Sequence, residues 1–333
     1  MKAFTIDRYG KKAVGRTTNA PEPEVRDDDV LIQIHAAGVN LLDVKIRNGE
    51  FKLVLPYRMP LVLGHDVAGT VVKVGSRARK FKLGDKVYAR PDDFRIGTFA
   101  EYIAVKETSV AHKPANLTME EAASVPLVAL TAWQVLVETA KLKKGQKVFI
   151  QAGSGGVGTI AIQLAKHLGA FVATTTSTGN VDRVRALGAD IVIDYKKQDF
   201  ATEFRDYDVV LNSLGSDELG KSLQVLKPGG HLISISGPPT AEFAAEQKLA
   251  WPLKQVLRLV SYGIRRKAKQ RRIAYSFLFM RAEGSQLGKI TSLIESGVIR
   301  PTVDRVFPLN ETADAMAYVE QGRAKGKVVV KVR

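Results

Sequence analysis

The 333-residue chain contains no cysteine, which excludes disulfides and thiolate-bound metals from the outset. Nor does it hold any run near the roughly 18 apolar residues that a membrane-spanning helix needs. Its first residues, Met1 to Arg8, read as a strand carrying charges, without the basic-then-apolar pattern of a secretory leader. Together with the missing cysteines, this makes a reducing, cytoplasmic setting the expectation. There is no internal repeat, no low-complexity tract and no nucleic-acid-binding module pattern, so nucleic acid is not an expected partner.

One region also lacks acid. The formal charge of +16 comes from 50 Lys and Arg against 34 Asp and Glu. Much of the excess lies at Lys248, Lys254, Arg258, Arg265, Arg266, Lys267, Lys269, Arg271, Arg272 and Arg281, a span without Asp or Glu. Two readings stay open: a solvated helix face, or attraction of an anionic cofactor or an anionic membrane surface through residues 254–272.

What is present is ordered in blocks. Up to about residue 122 the pattern is β-rich. Val30-Leu-Ile-Gln-Ile-His alternates apolar and polar positions, as does the stretch from Val67 to Gly75, and Gly, Pro and Asp turns separate the strands. This suggests a small barrel or sandwich, with His35 a structural histidine inside a strand. After Pro126 the period becomes helical, over Leu127 to Ala140. From Lys147 strands and helices alternate, which predicts a parallel, doubly wound sheet. A basic helical segment at about 253–270, a strand Tyr275–Met280, a helix near Gln286–Glu295 and a C-terminal strand from Lys327 complete the chain.

The most informative stretch is the strand Val148–Ile150 followed by Gly153-Ser154-Gly155-Gly156-Val157-Gly158 and a helical face at Ile160, Leu164 and Leu168. Strand, G-x-G-x-x-G turn and helix in this order form a dinucleotide-binding fingerprint. The first glycine makes the turn, the second admits the pyrophosphate, and the third lets helix and strand pack closely. The helix start supplies free N–H groups to phosphate.

With these motifs stand Ala37-Gly-Val-Asn40-Leu-Leu-Asp43, Leu63-Gly-His-Asp-Val-Ala-Gly69, Gly84-Asp-Lys-Val87, Gly97-Thr-Phe-Ala-Glu-Tyr102, Val125-Pro-Leu-Val-Ala-Leu-Thr-Ala132, Leu187-Gly-Ala-Asp190 and Asp194-Tyr195. Over nearly its whole length the chain resembles the medium-chain dehydrogenase/reductase superfamily, and more narrowly the zinc-independent quinone oxidoreductase and enone reductase branch. The resemblance implies an α/β protein. A GroES-like β-rich catalytic domain (1–122, completed by 299–333) would stand beside a Rossmann domain with a doubly wound parallel sheet (123–298). The active site would lie in the cleft between them, and a homodimer would form through the last Rossmann strand.

Zinc-dependent members resemble this chain at Asn40, where they carry a cysteine, and at Gly64-His65-Asp66. Their other thiolates and their four-cysteine lobe have no counterpart, so no metal site is expected. Without zinc to polarise an alcohol, reduction of an activated acceptor is favoured over alcohol oxidation. The second Rossmann strand ends in Thr176-Ser177-Thr178-Gly179-Asn180, without the acid that would hold an NAD ribose. Ser177, Asn180 and Arg183 offer partners to a 2′-phosphate instead, which points to NADPH. The other reading is a merely polar loop.

The resemblance adds Tyr195 beside the adenosine phosphate, and Asn40 and Thr131 near the nicotinamide and its ribose. It also adds Phe277 and Phe279 at the nicotinamide amide and Lys327 near the cofactor. Asn212-Ser213-Leu214 and Ser236-Gly237 end Rossmann strands, where ligands of open α/β sheets sit. Ordinary core for the two phenylalanines, and an exposed edge-strand charge for Lys327, are the plain alternatives. The implied reaction moves a hydride from NADPH to a quinone or an α,β-unsaturated carbonyl such as an enone or 2-alkenal. Enoyl reductases place a tyrosine after an Asn-Gly turn as proton donor. Here Asn48-Gly-Glu-Phe51 lacks it, leaving Tyr57 or water. The competing expectation is a nucleotide-binding protein that acts by binding at an anionic membrane surface, with little turnover.

Overall fold

The computed structural model describes every residue except Lys12 and Val14. Two compact units emerge, Met1–Leu130 with Arg281–Arg333, and Thr131–Met280.

The first unit begins with strands β1 (Lys2–Ile6), β2 (Arg16–Asn19) and β3 (Asp29–Val39), then helix α1 (Leu41–Asn48). Strands β4 (Leu61–Val62), β5 (Val67–Val74), β6 (Lys86–Ala89), β7 (Tyr102–Lys106) and β8 (Val110–His112) follow, with helix α2 (Met119–Ala123), and helix α3 (Pro126–Trp133) begins in this unit and ends in the second. The alternation read from Val30 to Ile34 has its physical origin in β3. Val30, Ile32 and Ile34 point into a core with Val67, Val71, Val87, Ile103 and Val105, as a half-buried strand requires. His35 lies on the opposite face and bonds Thr70 Oγ1 at 3.3 Å.

The second unit holds β9 (Lys147–Ile150), α4 (Gly156–His167), β10 (Phe171–Thr176), α5 (Val181–Ala186), β11 (Ile191–Asp194) and α6 (Phe200–Glu203). It continues through β12 (Tyr207–Asn212), α7 (Leu219–Val225), β13 (Leu226–Ser234), α8 (Ala241–Glu246), α9 (Trp251–Val260), α10 (Tyr262–Gln270) and β14 (Ala274–Phe277). The six strands are ordered β11-β10-β9-β12-β13-β14 and all pair in parallel. This is the doubly wound Rossmann sheet. The chain runs outward one way from β9 to β11 and the other way from β12 to β14, so the strand order switches between β9 and β12. In such sheets ligands sit at the carboxyl ends of the strands flanking that switch.

The tail, with α11 (Gly284–Glu295), β15 (Val303–Pro308), α12 (Thr312–Glu320) and β16 (Lys327–Lys331), returns to the first unit. There β16 lies antiparallel to β3, pairing Val328 with Val39 and Val330 with Ala37. The resulting seven-stranded sheet has the order β15-β16-β3-β5-β6-β8, with β7 also on β3, and β2-β1-β4 forms a separate sheet.

Three expectations shift. The boundary drawn at 298 falls at 280, because α11 belongs to the first unit: Tyr88 donates its hydroxyl proton to Leu287 O at 2.8 Å. In the same place Gly284 lies so close to β8 that a Cβ would overlap Val110 O. The helix expected to run to Ala140 is α-helical only to Trp133 and continues as a π-turn over Gln134–Thr139. The basic segment is two helices, broken at Ser261, whose hydroxyl bonds back to Leu257 O at 2.8 Å.

Candidate active site

In the first unit, the motif residues converge on one buried polar cluster. Lys327 enters from β16, the neighbour of β3, so it is not an edge-strand charge. It is 6% exposed. Its ammonium has three acceptors: Val39 O at 3.1 Å, Asn40 Oδ1 at 2.6 Å and Asp66 Oδ2 at 3.0 Å. Three donors and three acceptors leave this ammonium saturated. Asn40, between β3 and α1, turns its amide nitrogen to the same Asp66 oxygen at 2.9 Å. The other Asp66 oxygen accepts from Leu127 N in the first turn of α3, at 2.7 Å, a placement the helix dipole favours.

Asp43 and His65 extend the cluster. Asp43 Oδ2 accepts from Asn40 N at 2.7 Å, and Oδ1 faces His65 Nδ1 at 2.6 Å. Both side chains are fully buried, and His65 Nε2 has no partner. Gly38 is what lets the chain come this close, because a Cβ there would overlap Ala123 O and sit 2.9 Å from Asp66 Oδ2. Asp43 and Asp66 were not singled out as site residues. Their position inside the Asn40–Asp43 and His65–Asp66 motifs was the available signal.

This donor set does not suit zinc. Of the residues resembling zinc ligands, Asp66 has both oxygens engaged and is already neutralised by the Lys327 ammonium. Asn40 is a neutral amide whose oxygen accepts from the same lysine. Only His65 Nε2 is free to bind a metal, and one ligand does not make a site.

Tyr57 makes its hydrogen bonds outside this cluster, with Tyr9 and Asp93, although the Asp43 charge reaches it. Its hydroxyl donates to the Asp93 carbonyl, and Arg90, itself buried, holds the Asp93 carboxylate. Burial first, then the Asp93 charge, pushes the Tyr57 phenol above its ordinary range.

The second unit carries the glycine turn. A Cβ on Gly153 would overlap Thr174 Oγ1 and approach Ile162 Cδ1 to 3.1 Å; one on Gly158 would overlap Ala152 O and lie 2.8 Å from Gly153 Cα. At Gly155 the nearest atom is Ala152 O, at 3.3 Å. The first and third glycines therefore serve packing, while the second leaves backbone open on its outer side. Ser154, Gly156 and Val157 are partly exposed around the start of α4, where the N–H groups of the first turn have no carbonyl to bond within the helix. These features fit a dinucleotide pyrophosphate.

At the end of β10, Thr176 Oγ1 and Arg183 Nη2 are buried without a hydrogen-bond partner. Asn180 Nδ2 bonds Ser177 Oγ at 3.0 Å. The structure thus brings Ser177, Asn180 and Arg183 to one loop and helix start. One carboxylate does stand nearby, one strand over: Asp194 on β11 pairs in register with Thr176. Lys197 lies 3.8 Å from its Oδ2. Tyr195, the next residue, is exposed.

Across the switch point, Asn212 donates to Gln151 Oε1 at 2.8 Å and accepts from Ser234 Oγ at 2.6 Å, while Gln151 reaches Ser222 Oγ at 3.1 Å. Ser213 N also bonds Gln151 Oε1, and Ser236 Oγ accepts from Gly215 N at 2.8 Å. Gly237 N donates to Ser234 Oγ at 2.7 Å. This network, centred on Gln151, fixes the loops after β9, β12 and β13, and leaves Leu214 exposed. Sequence reading did not single out Gln151. Thr131, the first residue of this unit, is buried. Phe277 and Phe279 are half-buried and both pack on Phe243, with centroids at 5.1 and 5.6 Å.

Comparison with known proteins agrees with this architecture. Residues 26–115 match the alcohol dehydrogenase GroES-like domain, and 187–330 the zinc-binding dehydrogenase family. The chain is 37% identical to a 2-methylene-furan-3-one reductase of Solanum lycopersicum, over 99% of its own length and 79% of the relative's. It is 36% identical, with the same coverage, to an NADPH-dependent alkenal/one oxidoreductase, chloroplastic, of Arabidopsis thaliana.

The chain belongs to the medium-chain dehydrogenase/reductase superfamily, in its zinc-independent quinone oxidoreductase branch.

Among solved structures, the quinone oxidoreductase from Coxiella burnetii superposes with a TM-score of 0.87 at 32% identity, over 100% of this chain and 99% of that one. As a member of this branch the protein is an enzyme, an oxidoreductase that uses a nicotinamide cofactor on a small molecule. The match to a family described as zinc-binding does not carry zinc with it, because the Lys327 ammonium already pairs with Asp66.

Proposed function

We propose that this oxidoreductase is NADPH-dependent and reduces quinones in preference to α,β-unsaturated carbonyls. The observation that carries the reading is the Lys327–Asp66–Asn40 cluster. Where zinc-dependent relatives would need metal ligands to activate an alcohol, this chain spends the same positions on an internal ion pair, which suits an acceptor that is already electrophilic.

When bound, the reduced nicotinamide supplies the hydride. The residues around Gly153–Gly158 would hold its pyrophosphate with backbone N–H groups. Thr176, Ser177, Asn180 and Arg183 would hold a 2′-phosphate. The unpaired Arg183 Nη2 and Thr176 Oγ1 support that assignment, since buried polar atoms normally have partners. Asp194 favours a ribose hydroxyl instead, but it is offset by Lys196 and Lys197 beside it in the chain. Asn212, Ser213, Leu214, Ser236 and Gly237 would line the strand ends.

The choice of acceptor turns on the proton. Reducing an enone across its double bond requires protonation at carbon, which benefits from a dedicated acid. Tyr57 is a poor one, with its proton committed to the Asp93 carbonyl and its phenol raised by burial. A reduced quinone takes its proton on oxygen, which water can deliver.

The deciding assay measures NADPH and NADH oxidation with 1,4-benzoquinone, a naphthoquinone and a short 2-alkenal, with and without chelator. Quinone turnover with NADPH, indifferent to chelator, is expected. An absence of turnover across the panel, or a preference for NADH, overturns the reading. A homodimer belongs to the same proposal, as does a cytosolic setting; the dimer is supported by the position of β14 at the edge of the six-stranded sheet.

A further inference from the structure

The cation-rich span identified in the sequence forms a surface that the proposed reductase chemistry does not use. Helices α9 and α10 bury one stripe, Leu257, Ser261, Ile264 and Ala268, spaced three and four residues apart. A second apolar stripe on α9 faces away from the unit. Pro252, Val256, Leu259 and Val260 follow the spacing i, i+4, i+7, i+8 and are all exposed. Leu259 is 74% exposed and, at the helix start, Trp251 is 72% exposed; Tyr262 is also exposed. An apolar stripe on a solvent-facing helix surface has no role in packing the unit and calls for a partner.

Charge narrows what that partner is. Exposed beside and beyond the stripe are Arg258, Arg266, Lys267, Lys269, Arg271 and Arg272. The acid ion-paired into this surface is Glu242, at 3.5 Å from Arg265. Two copies meeting face to face would press like charges together. Nucleic acid would satisfy the cations but leave four aliphatic side chains idle. An anionic lipid surface satisfies both, because aliphatic and indole groups enter the acyl boundary while arginines and lysines meet the headgroups. No helix among the described residues is long and apolar enough to cross a membrane, so the geometry is that of a helix lying on the surface.

We propose that α9 and α10 form a peripheral docking surface for anionic phospholipid bilayers, with α9 lying in the interface and α10 supplying electrostatic attraction. This assignment is independent of the acceptor chemistry proposed above. Lipid-soluble quinones would be reached from such a position, but vesicle binding does not depend on that use.

The test is co-sedimentation of the full chain with phosphatidylcholine vesicles, with or without about 30 mol% phosphatidylglycerol. Binding is expected only with the anionic lipid. It should fall away as salt rises from roughly 0.1 M to 1 M, which shortens the screening length from about 10 Å to about 3 Å. The triple substitution Arg266→Gln, Lys267→Gln, Lys269→Gln should lower the partition coefficient about a hundredfold, since each basic residue near such a surface contributes about a factor of five. The double substitution Leu259→Ser, Val260→Ser should weaken binding without changing the salt dependence.

All five substituted side chains are exposed, so quinone turnover in solution should stay at the wild-type level and serves as the folding control. Equal binding to neutral vesicles, or unchanged binding by both variants, overturns the proposal. So does a change in solution mass on the Leu259→Ser, Val260→Ser substitution, which would make the stripe a self-interface. Salt-sensitive binding of an RNA oligonucleotide in place of vesicles would also overturn it.

Discussion

Replacing Lys327 with methionine keeps the length and apolar character of the stem while deleting the ammonium. The consequence follows from the contacts. Asp66 is fully buried and would retain Asn40 Nδ2 at 2.9 Å and Leu127 N at 2.7 Å, but no cation. Asn40 Oδ1 and Val39 O would lose the lysine as donor. Breaking a buried ion pair by removing one partner costs about 3–5 kcal/mol, because the survivor's charge is left uncompensated. The two oxygens that lose this donor lie within the same cluster, so their cost is not added separately. Against a total stability of roughly 5–15 kcal/mol, this loss is large enough to read directly.

Tryptophan fluorescence is the wrong probe for it. Trp133 and Trp251 both lie in the Thr131–Met280 unit, whereas the damage falls where β16 meets β3. Hydrogen exchange at the Val328–Val330 amides reports on that pairing. In Lys327→Met it should accelerate by roughly two to four orders of magnitude, at about 1.4 kcal/mol per tenfold, while the tryptophan-detected transition serves as control. Adding Asp66→Asn removes the stranded charge and should recover at least about half of the loss. A cost below about 1 kcal/mol for Lys327→Met, or no recovery in the double variant, would refute the view that an internal cation holds this cluster together.

Other outcomes follow from the same geometry. Gly158→Ala, whose new Cβ would meet the Ala152 carbonyl, should cost about 1–3 kcal/mol of apo stability. Gly155→Ala, whose Cβ would only crowd Ala152 O at 3.3 Å, should lower the apo melting temperature less than Gly158→Ala does while weakening NADPH binding; equal melting losses in both would refute the division of labour among the glycines. Tyr57→Phe should keep quinone turnover within about twofold, whereas a loss of a hundredfold or more would mark the hydroxyl as a catalytic acid.

Asp29 gives a pH-dependent case. Burial works to raise its pKa, but the two Arg95 bonds at 2.7 and 2.6 Å and the Arg26 N–H win and hold it below the usual carboxylate range. A depressed folded pKa stabilises above the unfolded value and loses that contribution as pH falls. The stability gap between wild type and Asp29→Asn should therefore be full near neutrality, shrink below about pH 4, and close under the folded pKa. Urea melts at several pH values measure it, and a gap that persists in strong acid would contradict the assignment.

What could be read beforehand, and what could not, follows from the range of each interaction. The glycine turn was legible because its constraints are near in the chain: Gly158 is dictated by Ala152 in the turn, and Gly153 by Ile162 of α4 and Thr174 of the adjoining strand β10. The alternation in β3 was legible for the same reason, since one face of one strand sets it. Gln151 escaped notice because nothing beside it in the chain explains a buried amide. Its partners Ser222 and Asn212 come from other elements, 71 and 61 residues away, and only the parallel sheet brings them together. The boundary at 280 was missed similarly, because α11 looks like any amphipathic helix until Leu287 and Gly284 are seen against Tyr88 and Val110.

Lys327 is the instructive intermediate. Resemblance marked it as functional, and its place in a C-terminal strand left an exposed edge-strand charge as the plain alternative. Neither view contained its partner, because Asp66 is 261 residues away. Once β16 is placed beside β3, the lysine has nowhere to go but inward, and a buried ammonium must find a carboxylate. Position in the sheet therefore assigns Asp66 to lysine, and the proposed preference for acceptors that need no Lewis acid rests on that pairing.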